Sequence, residues 1–147
     1  MQRPILFYLE SVTDTLTSGI SSMGNPLVWW IGIPAFIYMI YLIFKNKDRI
    51  ALFLSVGYLA QYLPWMLVSR CTFIYHYFPS VPFVVMMIGY SIYTIIKEKP
   101  KLRPVVWVYV GLAVFLFGAF YPVLSGYPIT LEYAKLLKWF HSWVLLY

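Results

Sequence analysis

Four long runs of apolar residues, separated by short polar segments, dominate the pattern along the chain. They predict helices over residues 26–44, 50–68, 78–96 and 104–124. A helix needs about 20 residues to cross the hydrocarbon core of a membrane, and most of these runs come close to that length. Backbone polar groups in lipid must be hydrogen-bonded within the chain, which favours helices over strands. The pattern therefore predicts an all-α membrane protein, a single domain over residues 1–147 with about four transmembrane helices and short interfacial helices.

The third apolar run is short, because only Val81 to Ile96 is free of interruption. At about 1.5 Å per residue this segment falls short of a core roughly 30 Å thick. Either the helix begins earlier or the segment before it dips below the membrane surface. Pro79 and Pro82 disfavour one continuous helix here. We therefore expect a dipping loop over residues 70–80, buried in protein or lining a cavity.

The two flanks carry amphipathic patterns that are too short to span a membrane. In the first flank, apolar residues recur at helical spacing, namely Ile5, Leu9, Val12 and Leu16. In the last flank, a helix opening at Pro128 would align Leu136, Trp139, Phe140 and Trp143. Such patterns predict helices that lie in the membrane interface. Glu10 and Asp14 would share one face of the first helix, as a solvated face or, less readily, as an acid–base pair.

Basic residues predict the orientation of the chain in the membrane. The links after the first and third runs hold seven of them, Lys45, Lys47, Arg49, Lys97, Lys99, Lys101 and Arg103. The opposite side holds only Arg3, Arg70, Lys135 and Lys138, spread over longer segments. The positive-inside rule then places the two basic links in the cytosol. Both termini and residues 70–80 are expected outside.

Composition supports a membrane protein and excludes several functions. The chain is 62% hydrophobic and 11% charged, whereas soluble domains carry about 25% charged residues. The net charge of +6 does not indicate nucleic-acid binding, because the cations lie between apolar runs. Cys71 is the only cysteine, and His76 and His141 are too few for a metal site. We therefore expect no metal, no cofactor and no nucleic-acid partner.

The most unusual stretch joins a cation, an imidazole and aromatic rings at one predicted membrane boundary. It contains Arg70, Tyr75, His76 and Tyr77. An arginine fork binds phosphate oxygens through paired hydrogen bonds, and Tyr and His donate to phosphate or sugar hydroxyls. The alternative is an interfacial aromatic belt with an arginine that reaches water. Sequence chemistry alone leaves both interpretations open.

Four short motifs resemble one known family. They are Ser22-Met23-Gly24-Asn25-Pro26-Leu27-Val28-Trp29-Trp30, Tyr62-Leu63-Pro64-Trp65, the segment from Phe73 to Phe83, and Tyr121-Pro122-Val123-Leu124-Ser125-Gly126 followed by Trp139 and Trp143. In this order they resemble the C-terminal helices of protein O-mannosyltransferases. The resemblance implies a GT-C-type membrane glycosyltransferase that transfers mannose from a polyprenyl- or dolichyl-phosphate carrier to Ser or Thr of an acceptor protein.

The resemblance also implies that the chain is the C-terminal part of a longer enzyme. Family members carry their acidic catalytic residues in a first outer loop near the N-terminus, and no segment here matches it. Glu10 and Asp14 do not match that position, so no catalytic residue is expected in this segment. The missing N-terminal half would then be a partner, together with membrane lipid, the lipid-linked mannose donor and the acceptor protein.

We predict that this segment forms part of the cavity for the lipid carrier. Arg70 is the predicted contact of the carrier phosphate, with Tyr75, His76 and Tyr77 supporting phosphate or sugar. Asn25 would cap or contact ligand where the first helix begins. The expected location is a bacterial plasma membrane. The alternative is a non-catalytic multi-pass accessory subunit, and a small transporter is disfavoured because the runs carry no ladder of buried charges.

Overall fold

A computed structural model describes residues 5–13, 16–22, 24–67 and 74–139. Four long α-helices overlap the four apolar runs. The elements in chain order are β1 (Ile5–Thr13), β2 (Leu16–Ser22), α1 (Pro26–Asn46), α2 (Arg49–Met66), a 3₁₀ helix (Ile74–Ser80), α3 (Val81–Glu98), a 3₁₀ turn (Pro100–Leu102), α4 (Arg103–Ser125), β3 (Ile129–Thr130) and α5 (Leu131–Leu137). The prediction of a helical membrane fold is confirmed.

Local chemistry explains where the first helices begin and end. Pro26 opens α1 at a first-turn position, where a missing N–H breaks no helical hydrogen bond. After α1 the backbone turns at Lys47, whose φ is +50°. Asp48 then caps α2, because its Oδ1 accepts hydrogen bonds from the backbone N–H of Ile50 at 2.8 Å and of Ala51 at 3.2 Å.

Within the described residues, three helical segments are long and apolar enough to cross a membrane. They are Pro26–Asn46, Tyr77–Glu98 and Pro100–Ser125, with mean hydropathies of 2.1, 1.6 and 1.9. The sequence predicts about four, and α2 is the segment that does not qualify. Its 18 residues include Arg49 and Gln61, which lower its apolar character.

The dipping loop expected over residues 70–80 is wrong where the structure describes it. Ile74–Ser80 form a 3₁₀ helix that leads directly into α3. Pro82 lies in the first turn of α3, where the helix needs no N–H from it. The other alternative, a helix that begins before Val81, is therefore correct. It gives the 22-residue segment Tyr77–Glu98, which is long enough to cross a membrane. Residues 70–73 lie outside the described part of the chain.

The amphipathic helix expected in the first flank is also wrong, because β1 and β2 pair as an antiparallel hairpin. Glu10 pairs with Ser18, and β3 adds to β2 through Leu16 and Thr130. Valine, isoleucine and threonine in this flank favour strands, which outweighs the helical spacing of its large apolar residues. In the last flank, α5 begins at Leu131 rather than Pro128; Phe140 and Trp143 lie outside the described residues.

The described residues divide into two compact units. The hairpin and the part of the chain from Val114 onward form one, and Pro26–Ala113 form the other. The second unit has a buried apolar core, made of Ala35, Met39, Leu42, Ala51, Leu54, Val84, Met87 and Ile88. A Cβ on Gly32 would lie 2.7 Å from Val84 Cγ1, so this glycine lets α1 and α3 approach closely. Small residues at helix contacts are typical of packing in membranes.

Candidate functional site

Five aromatic side chains meet where α1 begins, α2 ends and the 3₁₀ helix precedes α3. We call Trp29, Phe36, Tyr58, Tyr62 and Tyr77 the aromatic cluster. The ring centroids of Trp29 and Tyr77 lie 5.3 Å apart, and those of Tyr62 and Tyr77 lie 5.7 Å apart with the rings nearly perpendicular at 85°. Such edge-to-face geometry is favourable for aromatic pairs. Tyr77 is therefore held between α1 and α2.

Helical spacing brings the other members of the cluster into line. Tyr58 and Tyr62 are four residues apart on α2, so they share a face, and their rings stack at 5.6 Å and 14°. Phe36 on α1 contacts Tyr58 with centroids 5.3 Å apart. Trp29 and Phe36 are seven residues, or about two turns, apart on α1. The cluster is thus a consequence of how α1 and α2 pair.

A cleft of about 140 Å³ lies beside the cluster. It is lined by Trp29, Gly32, Ile33, Phe36, Ile37, Tyr58, Tyr77 and Val84. An apolar protein cavity of about 150 Å³ can hold a benzene molecule, so this cleft has room for a small branched hydrocarbon group. Ile33 and Ile37 are 59% and 61% exposed, which opens the cleft along the outer surface of α1.

The cleft is apolar, with a few polar atoms on its aromatic rings. These polar atoms include the hydroxyls of Tyr58 and Tyr77, whose rings both line the cleft. No charged residue lines the cleft among the described side chains. Such a surface suits hydrocarbon or the apolar face of a sugar ring, and it offers no counter-charge to an ion.

The structure describes only some of the predicted site residues. Tyr77 lies in the aromatic cluster, and Asn25 is half-buried directly before α1. Tyr75 and His76 lie on the 3₁₀ helix, but their side chains are outside the described part of the structure, as is the whole of Arg70. The contact of Arg70 with phosphate stays a prediction.

Sequence reasoning missed two aromatic members of the site. Phe36 and Tyr58 had no assigned role, although both line the cleft. The four-residue spacing of Tyr58 and Tyr62 was the available signal, because it predicts two stacked rings on one face of a helix. The sequence alone does not show that this face of α2 contacts Tyr77, because that depends on how α1 and α2 pack.

A polar contact lies away from the cleft, at the link between α1 and α2. The Tyr90 hydroxyl on α3 donates a hydrogen bond to Asp48 Oδ2 at 2.6 Å. This bond, with those from the backbone of Ala51 and Ile50, lowers the pKa of Asp48 below its ordinary value, although partial burial opposes the shift. Asp48 therefore stays ionised and ties the link to α3.

Comparison with known proteins gives a consistent set of similarities. A family profile described as the C-terminal four TMM region of protein-O-mannosyltransferase matches residues 1–143. A polyprenol-phosphate-mannose–protein mannosyltransferase of Mycobacterium tuberculosis is 31% identical over 96% of this chain. The Corynebacterium glutamicum protein of the same name is 26% identical over the same share. The chain spans 30% of the length of each of these two relatives.

Eukaryotic proteins match as well. Dolichyl-phosphate-mannose–protein mannosyltransferase 1 of Saccharomyces cerevisiae is 26% identical over 82% of this chain. The fold is similar to one chain in the structure of the S. cerevisiae protein O-mannosyltransferase Pmt1-Pmt2 complex bound to the sugar donor, with a TM-score of 0.69 and 23% identity over 86% of this chain and 20% of that chain. Together with the three apolar helices, these similarities identify an integral membrane protein.

Proposed function

Because the chain belongs to the C-terminal four-transmembrane region of the protein O-mannosyltransferase family, we propose that it forms the membrane part of an enzyme that mannosylates proteins. The donor would be mannose on a polyprenyl or dolichyl phosphate, and the acceptor a Ser or Thr hydroxyl of a protein. The names of the relatives support this donor class and a protein acceptor. The remaining part of such an enzyme, toward the N-terminus, would supply the catalytic carboxylates.

Within that enzyme, the cleft beside the aromatic cluster would hold an isoprenoid part of the carrier. The observation that carries this role is an apolar cleft of about 140 Å³ opening along α1 between the exposed Ile33 and Ile37. An isoprenoid chain could enter from lipid through that side without crossing a polar surface. Since the chain would come from lipid rather than from water, van der Waals contacts with the wall of the cleft would stabilise it there.

The polar residues that the sequence predicts for the site would then contact the phosphate and the sugar. Arg70 would bind the carrier phosphate, with Tyr75, His76 and Tyr77 beside the phosphate or sugar and Asn25 at the start of α1. Tyr77 supports this arrangement, since it is the predicted residue whose ring lines the cleft. The positions of the basic links support an orientation with this end and both termini outside. The membrane would be a bacterial plasma membrane.

A cleft-filling substitution tests the carrier role in the full-length enzyme. Ile37→Trp should occupy the cleft and raise the apparent KM for the polyprenyl-phosphate-mannose donor roughly tenfold, which corresponds to about 1.4 kcal/mol. Ile40→Trp is the matched control, because Ile40 is also exposed on α1 but does not line the cleft. Equal donor KM values for wild type and both variants would contradict the proposed role.

A further inference from the structure

The cations of the two links form a second surface that the proposed sugar transfer does not use. We call Lys45, Lys47, Arg49, Lys97, Lys99, Lys101 and Arg103 the basic rim. It holds seven of the eleven Lys and Arg residues of the chain, and only two carboxylates, those of Asp48 and Glu98, lie in the same stretches. The rim therefore carries five of the six net positive charges.

The fold joins the two links into one surface. The hydrogen bond from Tyr90 to Asp48 fixes α3 against the link between α1 and α2. At the end of α3, the carboxylate of Glu98 is near enough to interact electrostatically with Lys45 at the end of α1. Residues that are about 50 positions apart in sequence, such as Lys45 and Lys97, thus lie at the same end of the helices.

Most of the positive charge of the rim remains available. The Asp48 carboxylate is already occupied by Tyr90 and by two backbone N–H groups. Lys45 donates a hydrogen bond to the Tyr41 hydroxyl and lies 5.0 Å from the centroid of its ring. The other six side chains are exposed, and within the described part of the chain none of them forms a salt bridge.

We infer that the basic rim binds the headgroups of anionic phospholipids. Its cations lie at the ends of apolar helices and in the links between them, which places them at the depth of lipid phosphates rather than in bulk water. Clusters of four to eight Lys and Arg residues at such positions attract acidic lipids, each cation strengthening the attraction roughly fivefold. Phosphate oxygens are also strong partners for exposed Lys and Arg side chains. The inference goes beyond the proposed transfer reaction, since it concerns the end of the helices away from the cleft.

Lipid retention by the purified full-length enzyme tests the inference. The enzyme is reconstituted with equal amounts of phosphatidylglycerol and phosphatidylcholine, extracted, and examined by native mass spectrometry. Wild type should retain phosphatidylglycerol in excess, and the triple variant Lys97→Gln, Lys99→Gln, Lys101→Gln should reduce that excess by up to roughly a hundredfold, because three fivefold contributions are lost. The corresponding triple Lys→Arg variant should retain it. The control Lys135→Gln, Lys138→Gln removes charge outside the rim and should behave as wild type.

Several results would overturn the inference. Equal retention of both lipids by wild type would do so. The same holds if the triple Gln variant keeps the full excess of phosphatidylglycerol, or if the control loses as much of that excess as the triple Gln variant does. If the triple variant does not fold, Lys47→Gln, Arg49→Gln tests the same surface from the other link. Displacement of the lipid by millimolar inorganic phosphate would indicate a small-anion site instead. Donor KM, measured on the same variants, separates this inference from the proposed function.

Discussion

Gly57 determines how closely α2 and α3 can approach. A Cβ at this position would lie 2.3 Å from Phe83 Cε1, well inside van der Waals contact. We predict that Gly57→Ala destabilises the protein by about 1–3 kcal/mol through overpacking, although alanine is the better helix former. Thermal unfolding in detergent measures the effect.

Gly89 provides the matched control on α3. Nothing lies within 4 Å of a Cβ built at Gly89, so Gly89→Ala should leave the unfolding temperature unchanged or raise it. If both variants shift the unfolding temperature by the same amount, the close approach at Gly57 does not limit packing.

Asp48 gives a prediction about pH. Its folded-state pKa is lowered, chiefly by the hydrogen bond from Tyr90. The stabilisation is therefore fully present above the unfolded-state pKa of about 3.9 and is lost as the pH falls toward the folded-state value. At pH 7, Asp48→Ala should cost about 1 kcal/mol for the lost helix cap, and the difference from wild type should shrink below pH 4.

The prediction is tested by measuring the unfolding temperatures of wild type and Asp48→Ala from pH 7 to below pH 4. Asp48→Asn serves as the control, because asparagine also caps helices but does not ionise. The difference in stability between Asp48→Asn and Asp48→Ala should stay constant as the pH falls, whereas the difference between wild type and Asp48→Ala should shrink. A pH-independent difference between wild type and Asp48→Ala would show that ionisation of Asp48 does not contribute.

At the scale of elements, the long helices and a short helix in the last flank could be predicted, whereas the hairpin of the first flank could not. Each long helix is set by a run of apolar residues bounded by charges or prolines, which a linear sequence displays directly. The hairpin is different. The spacing of Ile5, Leu9 and Val12 fits a helix, and it does not reveal that Leu9 pairs with Gly19 on a neighbouring strand. Likewise, the 3₁₀ helix before α3 depends on packing that prolines alone do not reveal.

The end of α4 gives a prediction at this scale. Pro122 lies inside the helix and has no N–H to donate to the preceding turn. The Tyr133 hydroxyl of α5 donates a hydrogen bond to the Ala119 carbonyl in that turn at 2.7 Å. Tyr133→Phe should therefore cost about 0.5–1.5 kcal/mol and loosen the last turns of α4.

Hydrogen exchange of the backbone amides between Phe120 and Ser125, which excludes Pro122, tests that role. Exchange should accelerate in Tyr133→Phe and stay at the wild-type rate in Tyr127→Phe, whose side chain is 70% exposed. Unchanged exchange in both variants would mean that the bond from Tyr133 does not support the helix near its proline.

At the scale of the whole molecule, the candidate site was only partly predictable. Tyr77 and Trp29 belong to motifs that the sequence displays, and both line the cleft. Phe36 and Tyr58 enter it only because α1 and α2 pack in one particular rotation. Sequence patterns give the apolar faces of helices, whereas the residues that meet across two helices depend on how their side chains interlock.

Tyr77 decides whether the aromatic cluster is a binding surface or only a packing contact. Tyr77→Phe keeps the ring against Trp29 and Tyr62 but removes the hydroxyl. If that hydroxyl forms a hydrogen bond with the donor phosphate or sugar, the variant should raise the donor KM of the full-length enzyme about fivefold. This factor corresponds to the loss of one hydrogen bond that contributes roughly 1 kcal/mol. Tyr93→Phe, which changes an exposed tyrosine in the same membrane-spanning segment, is the control.

Thermal stability separates the two roles. A packing contact predicts that Tyr77→Phe leaves the donor KM unchanged while Tyr77→Leu lowers the unfolding temperature, because only the ring matters to its neighbours. A binding role predicts a raised KM for Tyr77→Phe at a nearly unchanged unfolding temperature. A fall in stability with no change in KM for either variant would therefore remove Tyr77 from the proposed site and leave the cluster as a support for the start of α3.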